Sequence, residues 1–131
     1  YDHVTRAAFH LFPFRYKKED FRDLPRKEFL NALKAEGIPC TSGYATLNNM
    51  PFLGNAFQSK NYKKMYPENM LDINKYNENN KCPANDRLCN EEAVWLSQNM
   101  LLGSKSDMDD IAMAIEKIHH NSEKIKNRAH N

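Results

Sequence analysis

"AAFHLFPFRYKKEDFRDLPRKEFLNALKAEGIPCTS" (residues 7–42) decides the fold. The stretch through Tyr16 is aromatic-rich and reads as a strand. Phe9 and Leu11 would share one face, and Phe12, Phe14 and Tyr16 the other, with His10. Both faces are then apolar and need cover on both sides. Pro13 cannot donate to a ladder, which puts the strand at an edge or a bulge. After the polar connection "KKEDFRD" a helix is predicted to start near Asp23–Pro25, with Asp as cap and Pro in the first turn. Phe29, Leu30 and Leu33 form its apolar stripe, and Gly37 suits the left-handed position just after it. "IPCTS" returns as a short strand, completing a strand–helix–strand unit.

Downstream, "GYATLNNMPF" (43–52) carries Tyr44, Thr46, Asn48 and Asn49 on a loop that looks like the lip of a binding site. Residues 43–81 are dominated by Asn, Lys and Tyr and read as a long loop or lid. Pro83 can open a short helix, and "AVWLS" (93–97) reads as a strand. "GSKSDMDDIAMAIEKIHHNSEKI" (103–125) is a helix, with Ser106 as cap and Asp109 three residues later. Asp107, Asp109 and Asp110 suit the positive end of its dipole. Met108, Ile111, Ile115, Ile118 and Ile125 make the stripe it would bury, and the tail "KNRAHN" is expected to fray. The order of elements gives a small α+β domain.

The 131 residues fit one domain with one core. With 40% hydrophobic and 27% charged residues the composition is globular and not disordered. No apolar run approaches the roughly 18 residues a membrane span needs. A net charge of +2 is too small to argue for a nucleic-acid partner. Tyr1 stands where a methionine would, which fits a segment of a longer protein or a processed chain.

The search for chemistry finds no catalytic constellation. The four glycines are scattered and build no phosphate loop. His119 and His120 are adjacent on the last helix, so they diverge and cannot form an i, i+4 metal pair. Cys82 and Cys89 fit no common zinc spacing, and the cysteines are expected to be reduced thiols in a cytoplasmic protein. His10 reads as a structural residue, Trp95 as core, and Arg15 as a side chain able to bind a carboxylate. Read on its residues alone, the chain has one suggestive loop and no self-contained active site.

Three pieces in order carry a resemblance. They are "FLNALKAEGIPCTSGY", then "CPANDRLCNEEAVWLSQ", then "NMLLGSKSDMDDIAMAIEKI", with "HLFPFRY" fitting the strand before them. Together they resemble the C-terminal part of the pyridoxal-phosphate-dependent sugar and cyclitol aminotransferase family of the DegT/StrS type. The resemblance implies a two-layer α+β fold with a short, mostly antiparallel sheet, as in the small domain of fold-type-I transferases. It also implies a large domain, upstream in the same parent chain, that holds the cofactor, its Schiff-base lysine and its phosphate ligands. No position here matches those residues. A homodimeric parent acting on a small-molecule substrate follows from the same resemblance, while charge and hydropathy argue for neither nucleic acid nor membrane as partner. The small domain would wall and cover the substrate, with Tyr44 and Asn48 as the residues that touch it. Other members often carry His where this chain has Gly43-Tyr44. A stand-alone α+β binding or interaction module is the competing reading.

Overall fold

The computed structural model describes His3, Thr5 and residues 10–129. In chain order its elements are β1 (Leu11–Arg15), α1 (Arg26–Ala35), α2 (Pro51–Gln58), α3 (Lys60–Met65), α4 (Ile73–Asn79), α5 (Pro83–Arg87), β2 (Ala93–Ser97) and α6 (Lys105–Arg128). Short 3-10 turns lie at Lys18–Phe21, Leu47–Asn49, Glu68–Met70 and Gln98–Leu101, and a π-helical turn at Leu88–Glu92 precedes β2. The fold class is α+β, built on a two-stranded antiparallel sheet. The chain divides into two compact units. One comprises Tyr1–Gly43 with Glu91–Asn131, the other Tyr44–Asn90.

The first unit holds the apolar core. β1 and β2 pair with Phe12 opposite Leu96 and Phe14 opposite Val94. Period-two alternation therefore puts these four side chains on one face, where Leu24, Phe29, Leu33, Ile38 and Ile118 complete the core. Tyr16 stacks on Phe29 with ring centroids 4.4 Å apart. Its hydroxyl donates to the Leu24 carbonyl, 2.8 Å; burial first, and then nearby Glu19, pushes its pKa upward. The other face of the sheet carries Leu11 and Trp95, both half-buried. Trp95 was expected in the core, but its odd register opposite Pro13 turns it away. Phe9, assigned by sequence to that face, lies outside the described residues.

Both edges of β2 explain local sequence choices. Trp95 exchanges two hydrogen bonds with Thr41, 2.9 and 3.0 Å. Its N–H and C=O thus point away from β1, and Pro13 sits at a non-hydrogen-bonded position where its missing N–H costs nothing. The expected strand "IPCTS" reduces to that single Thr41–Trp95 bridge. Antiparallel pairing would next engage Pro39 with Ser97, but Pro39 has no N–H to give. On the other side Gly43 turns to φ +77, leaving the extended region, and its N–H goes to Thr41 Oγ1 at 3.2 Å.

Helix boundaries correct two expectations. Asp23 does not cap α1. It and Arg22 take left-handed φ values of 59 and 53, and Asp23 N–H closes a turn on the Lys18 carbonyl at 2.8 Å. A residue before proline resists helical geometry, so Leu24 stays outside the helix, buried in the core, and α1 begins after Pro25. Its end is as expected. Gly37 is left-handed, and Ile38 N–H reaches the Leu33 carbonyl at 3.0 Å in a Schellman arrangement. The cap of α6 is Ser104, not Ser106. Ser104 Oγ accepts from Asp107 N–H at 3.3 Å, while Asp107 Oδ2 accepts from Ser104 N–H at 2.6 Å. The Ser104 side chain, and then its backbone N–H, hold the Asp107 carboxyl below its ordinary range. Asp109 instead pairs with Lys105, 2.7 Å.

α6 buries Ala114, Ile118 and Ser122 most fully, with Ile111, Ile115 and Ile125 partly covered. Residues 126–128, expected to fray, are helical. Lys126 Nζ donates to the Arg22 carbonyl at 3.1 Å, fastening that end. His130 and Asn131 lie outside the described residues.

The second unit replaces the long loop expected over residues 43–81 with short helices. Pro51 and Pro83 occupy the first turns of α2 and α5. Ser59 caps α3 by accepting from Tyr62 N–H, and Asp72 caps α4 by accepting from Asn74 and Lys75 N–H. Phe57 meets Tyr76 edge-on at 5.3 Å and Tyr62 at 6.2 Å, so rings stand in for an aliphatic core.

A Cβ on Gly43 would fall 2.2 Å from Trp95 Nε1, whereas one on Gly37 would meet nothing within 4 Å. Gly37→Ala is therefore expected to cost about 1 kcal/mol, from its left-handed backbone alone. Gly43→Ala adds displacement of the indole and should cost about 3 kcal/mol. Thermal unfolding with tryptophan fluorescence checks this; equal costs and an unshifted spectrum would mean Trp95 does not pack on Gly43. Ile118→Ala is expected to cost about 2–5 kcal/mol, and more than Ile111→Ala or Ile115→Ala. Urea titrations that reverse this order would show α6 docked on a different face.

Candidate functional site

The loop marked by sequence lies at the start of the second unit. Tyr44 is 64% exposed. Asn48 is half-buried in the 3-10 turn Leu47–Asn49, and its Nδ2 donates to the Asn80 carbonyl at 3.0 Å. Asn49 Nδ2 donates to Asp86 Oδ1 at 3.3 Å and to Thr46 Oγ1 at 3.4 Å, and Thr46 is buried. These bonds tie the turn to the end of α4 and to α5. Tyr44 is largely exposed, and the Asn48 amide is joined to its own unit.

The remaining sequence candidates have structural placements. Arg15 finds its carboxylate within the chain, through Nη2 and Nε to Glu92 Oε2 at 2.7 and 2.8 Å. His10 is exposed and precedes β1 instead of lying within it. His119 and His120 are exposed but do not diverge fully. Their rings stand 5.7 Å apart, and His119 also meets Phe21 edge-on at 5.1 Å. Among the described residues no group of three His, Cys, Asp or Glu could hold a metal ion, and no helix is long and apolar enough to cross a membrane.

Pyridoxal phosphate needs a lysine for its aldehyde, an acid for its ring nitrogen and donors for its phosphate. The described lysines are exposed apart from half-buried Lys126, whose ammonium is directed at the Arg22 carbonyl. Lys117, beside the groove between α1 and α6, is paired with Glu36 at 2.8 Å. Among the described residues, Lys117 and Lys126 are thus engaged within the chain.

Two features were not read from the sequence. One is a shallow cavity of about 350 Å³ on the outer face of the sheet, lined by Leu11, Pro39, Thr41 and Trp95. The alternation of β2 would have revealed it, because Trp95 lies between Val94 and Leu96 and so faces the opposite side of the sheet. The other is an open cavity of about 960 Å³ in the second unit, beside Phe57 and Tyr66.

No family model matches the chain, and no solved structure matches it significantly. Over 126 residues, 94% of its length, the chain is 25% identical to a protein of Streptoalloteichus tenebrarius described as "Putative L-glutamine:3-amino-2,3-dideoxy-scyllo-inosose aminotransferase". The chain spans 29% of that relative's length. The likeness is distant and partial, and it suggests an aminotransferase-related domain.

The cysteines differ in access. Cys40 is buried, its Sγ 3.6 Å from the Leu30 carbonyl, while Cys82 is exposed and Cys89 intermediate. Burial pushes the Cys40 thiol up, partly countered by Lys34. With less thiolate and less access, Cys40 is expected to react with iodoacetamide only on unfolding, well after Cys82. Mass-spectrometric time courses in native buffer check this, and early labelling of Cys40 would contradict its burial.

Proposed function

We propose that this chain is the small, substrate-covering domain of a pyridoxal-phosphate-dependent aminotransferase of the DegT/StrS type. The enzyme would move an amino group to a keto-sugar, a cyclitol or a related ring ketone. The observation that carries this reading is the alignment with the aminotransferase relative, which runs through both units of the chain. The three sequence pieces of the resemblance support it: they fall on α1 with its glycine end, on α5 through β2, and on α6. The cofactor would sit in a large companion domain of the same parent chain, supplying an electron sink for imine exchange. Glutamate or glutamine would give the amine. A cytoplasmic homodimer is the assembly that the resemblance implies.

In this reading Tyr44 and Asn48 belong to the wall over the substrate. The exposed Tyr44 ring can pack on a saturated ring while its hydroxyl still bonds. Asn48 holds the turn through Asn80, and its role is to keep Tyr44's loop in place as well as to face substrate. A second reading, a stand-alone α+β binding module without catalysis, draws on the closed core of the first unit.

The test is Tyr44→Ala in the parent enzyme. Loss of the ring contact should lower kcat/KM by roughly tenfold while the melting temperature holds, because an exposed side chain contributes little to stability. Unchanged kinetics would overturn the wall assignment. A gene whose product has no companion domain would favour the binding module.

A further inference from the structure

Within the first unit, the groove between α1 and α6 has a volume of about 640 Å³. Its lining runs from Glu28 to Glu36 on one wall and from Lys117 to Ala129 on the other. At 1.5 Å per residue the longer wall extends about 18 Å, or about three helical turns. The floor is apolar and mostly small, with Ala32, Ala35, Ile118, Ile125 and Ala129. Charges on the rims are unequally engaged. Glu36 pairs with Lys117 at 2.8 Å, and Glu28 accepts from Asn31 Nδ2 at 3.3 Å. Among the described residues, the exposed side chains of Lys124 and Arg128 form no ion pair or hydrogen bond within the protein. The unengaged charge of the rim is therefore positive.

We infer that this groove is the docking site of an amphipathic helix from a partner protein, with carboxylates along one flank of that helix. Three observations narrow the occupant. Both walls are helices, whose backbone groups bond along their own axes, so an extended strand would find no ladder to join. Ala32, Ala35 and Ala129 leave room for a third helix to come close, because the distance between helix axes follows the side chains at the contact. Lys124 and Arg128 lie one turn apart on α6, so carboxylates at the same spacing on the incoming helix can meet both in charge-assisted bonds. A basic helix would meet like charge at the same two positions. The inference stands on the first unit's own residues and does not rest on the proposed function.

The probes are two fluorescein-labelled amphipathic peptides of about 14 residues, with leucine at i, i+3, i+4 and i+7. Their flanks carry glutamate in one peptide and lysine in the other. Each is titrated into the full chain and followed by fluorescence anisotropy and backbone amide NMR. The glutamate peptide is expected to saturate with shifts at Ala32, Ala35 and Ile125, and the lysine peptide to bind about tenfold more weakly. Lys124→Glu combined with Arg128→Glu should reverse that order. Far-ultraviolet circular dichroism checks the fold of the double variant. If it fails to fold, Ala35→Glu, at an exposed helix position, decides instead and should weaken the glutamate peptide relative to the lysine one. No saturable shifts in the groove, equal binding of the two peptides, or an unchanged order in the folded variant would each overturn the inference. Sedimentation showing a dimer of the chain that the double variant dissolves would also overturn it, because the groove would then belong to a second copy. These readouts need no turnover, so their failure is distinct from a failure of the Tyr44 test.

Discussion

The hydrogen-bonded bridge between Thr41 and Trp95 is the contact on which the chain's organisation depends. β2 already holds β1 on one side, and the bridge recruits the segment after α1 on the other. It also lies two residues before the chain leaves the first unit, at Gly43, and four residues after it returns, at Glu91. Closing a long excursion costs entropy that grows only slowly with its length. Once the two ends are held by a bridge within a packed core, a large insertion adds little further cost. The Gly43 backbone and the Trp95 ring fit each other at this point, so the exit direction is fixed by sterics as well as by hydrogen bonds.

Much of the first unit was legible because its signals are local and strong. "AVWLS" is a continuous apolar run of strand length, and β2 occupies those residues. Phe29, Leu30 and Leu33 lie on one helical face, and all three are buried. What escaped reading involves small residues and competing caps. Ala114 and Ser122 are buried on α6, yet neither advertises itself as core. Ser122 can be buried because its hydroxyl donates to the His119 carbonyl. Ser104 and Ser106 both look like caps, and the difference lies in Asp107, whose carboxylate reciprocates only for Ser104.

The second unit was illegible for a different physical reason. Helix prediction from apolar period requires a buried stripe, and here Thr46 alone is buried. Its helices rest on caps and prolines at Pro51, Ser59, Asp72 and Pro83, and on ring contacts between aromatic side chains. Each such device acts over one turn, so none produces a long periodic pattern. The candidate site shares this difficulty. Loop chemistry in "GYATLNNM" marks a change of direction, but it does not say that Asn48 would spend its amide on Asn80 while Tyr44 stays exposed.

The two units therefore stand on different energetic footings. The first is held by removal of apolar surface from water, which is cooperative and resists local opening. The second is held by hydrogen bonds and partly exposed rings, which contribute little individually against the entropy of ordering the chain. Segments that must admit and release a small molecule are drawn from the less stable end of a structure. Tyr44 and the aromatic cavity beside Phe57 and Tyr66 both belong to that second unit. Its polar composition thus has a consequence beyond solvation. The side chains that fail to build a core are the ones left with rings, amides and carboxylates facing outward.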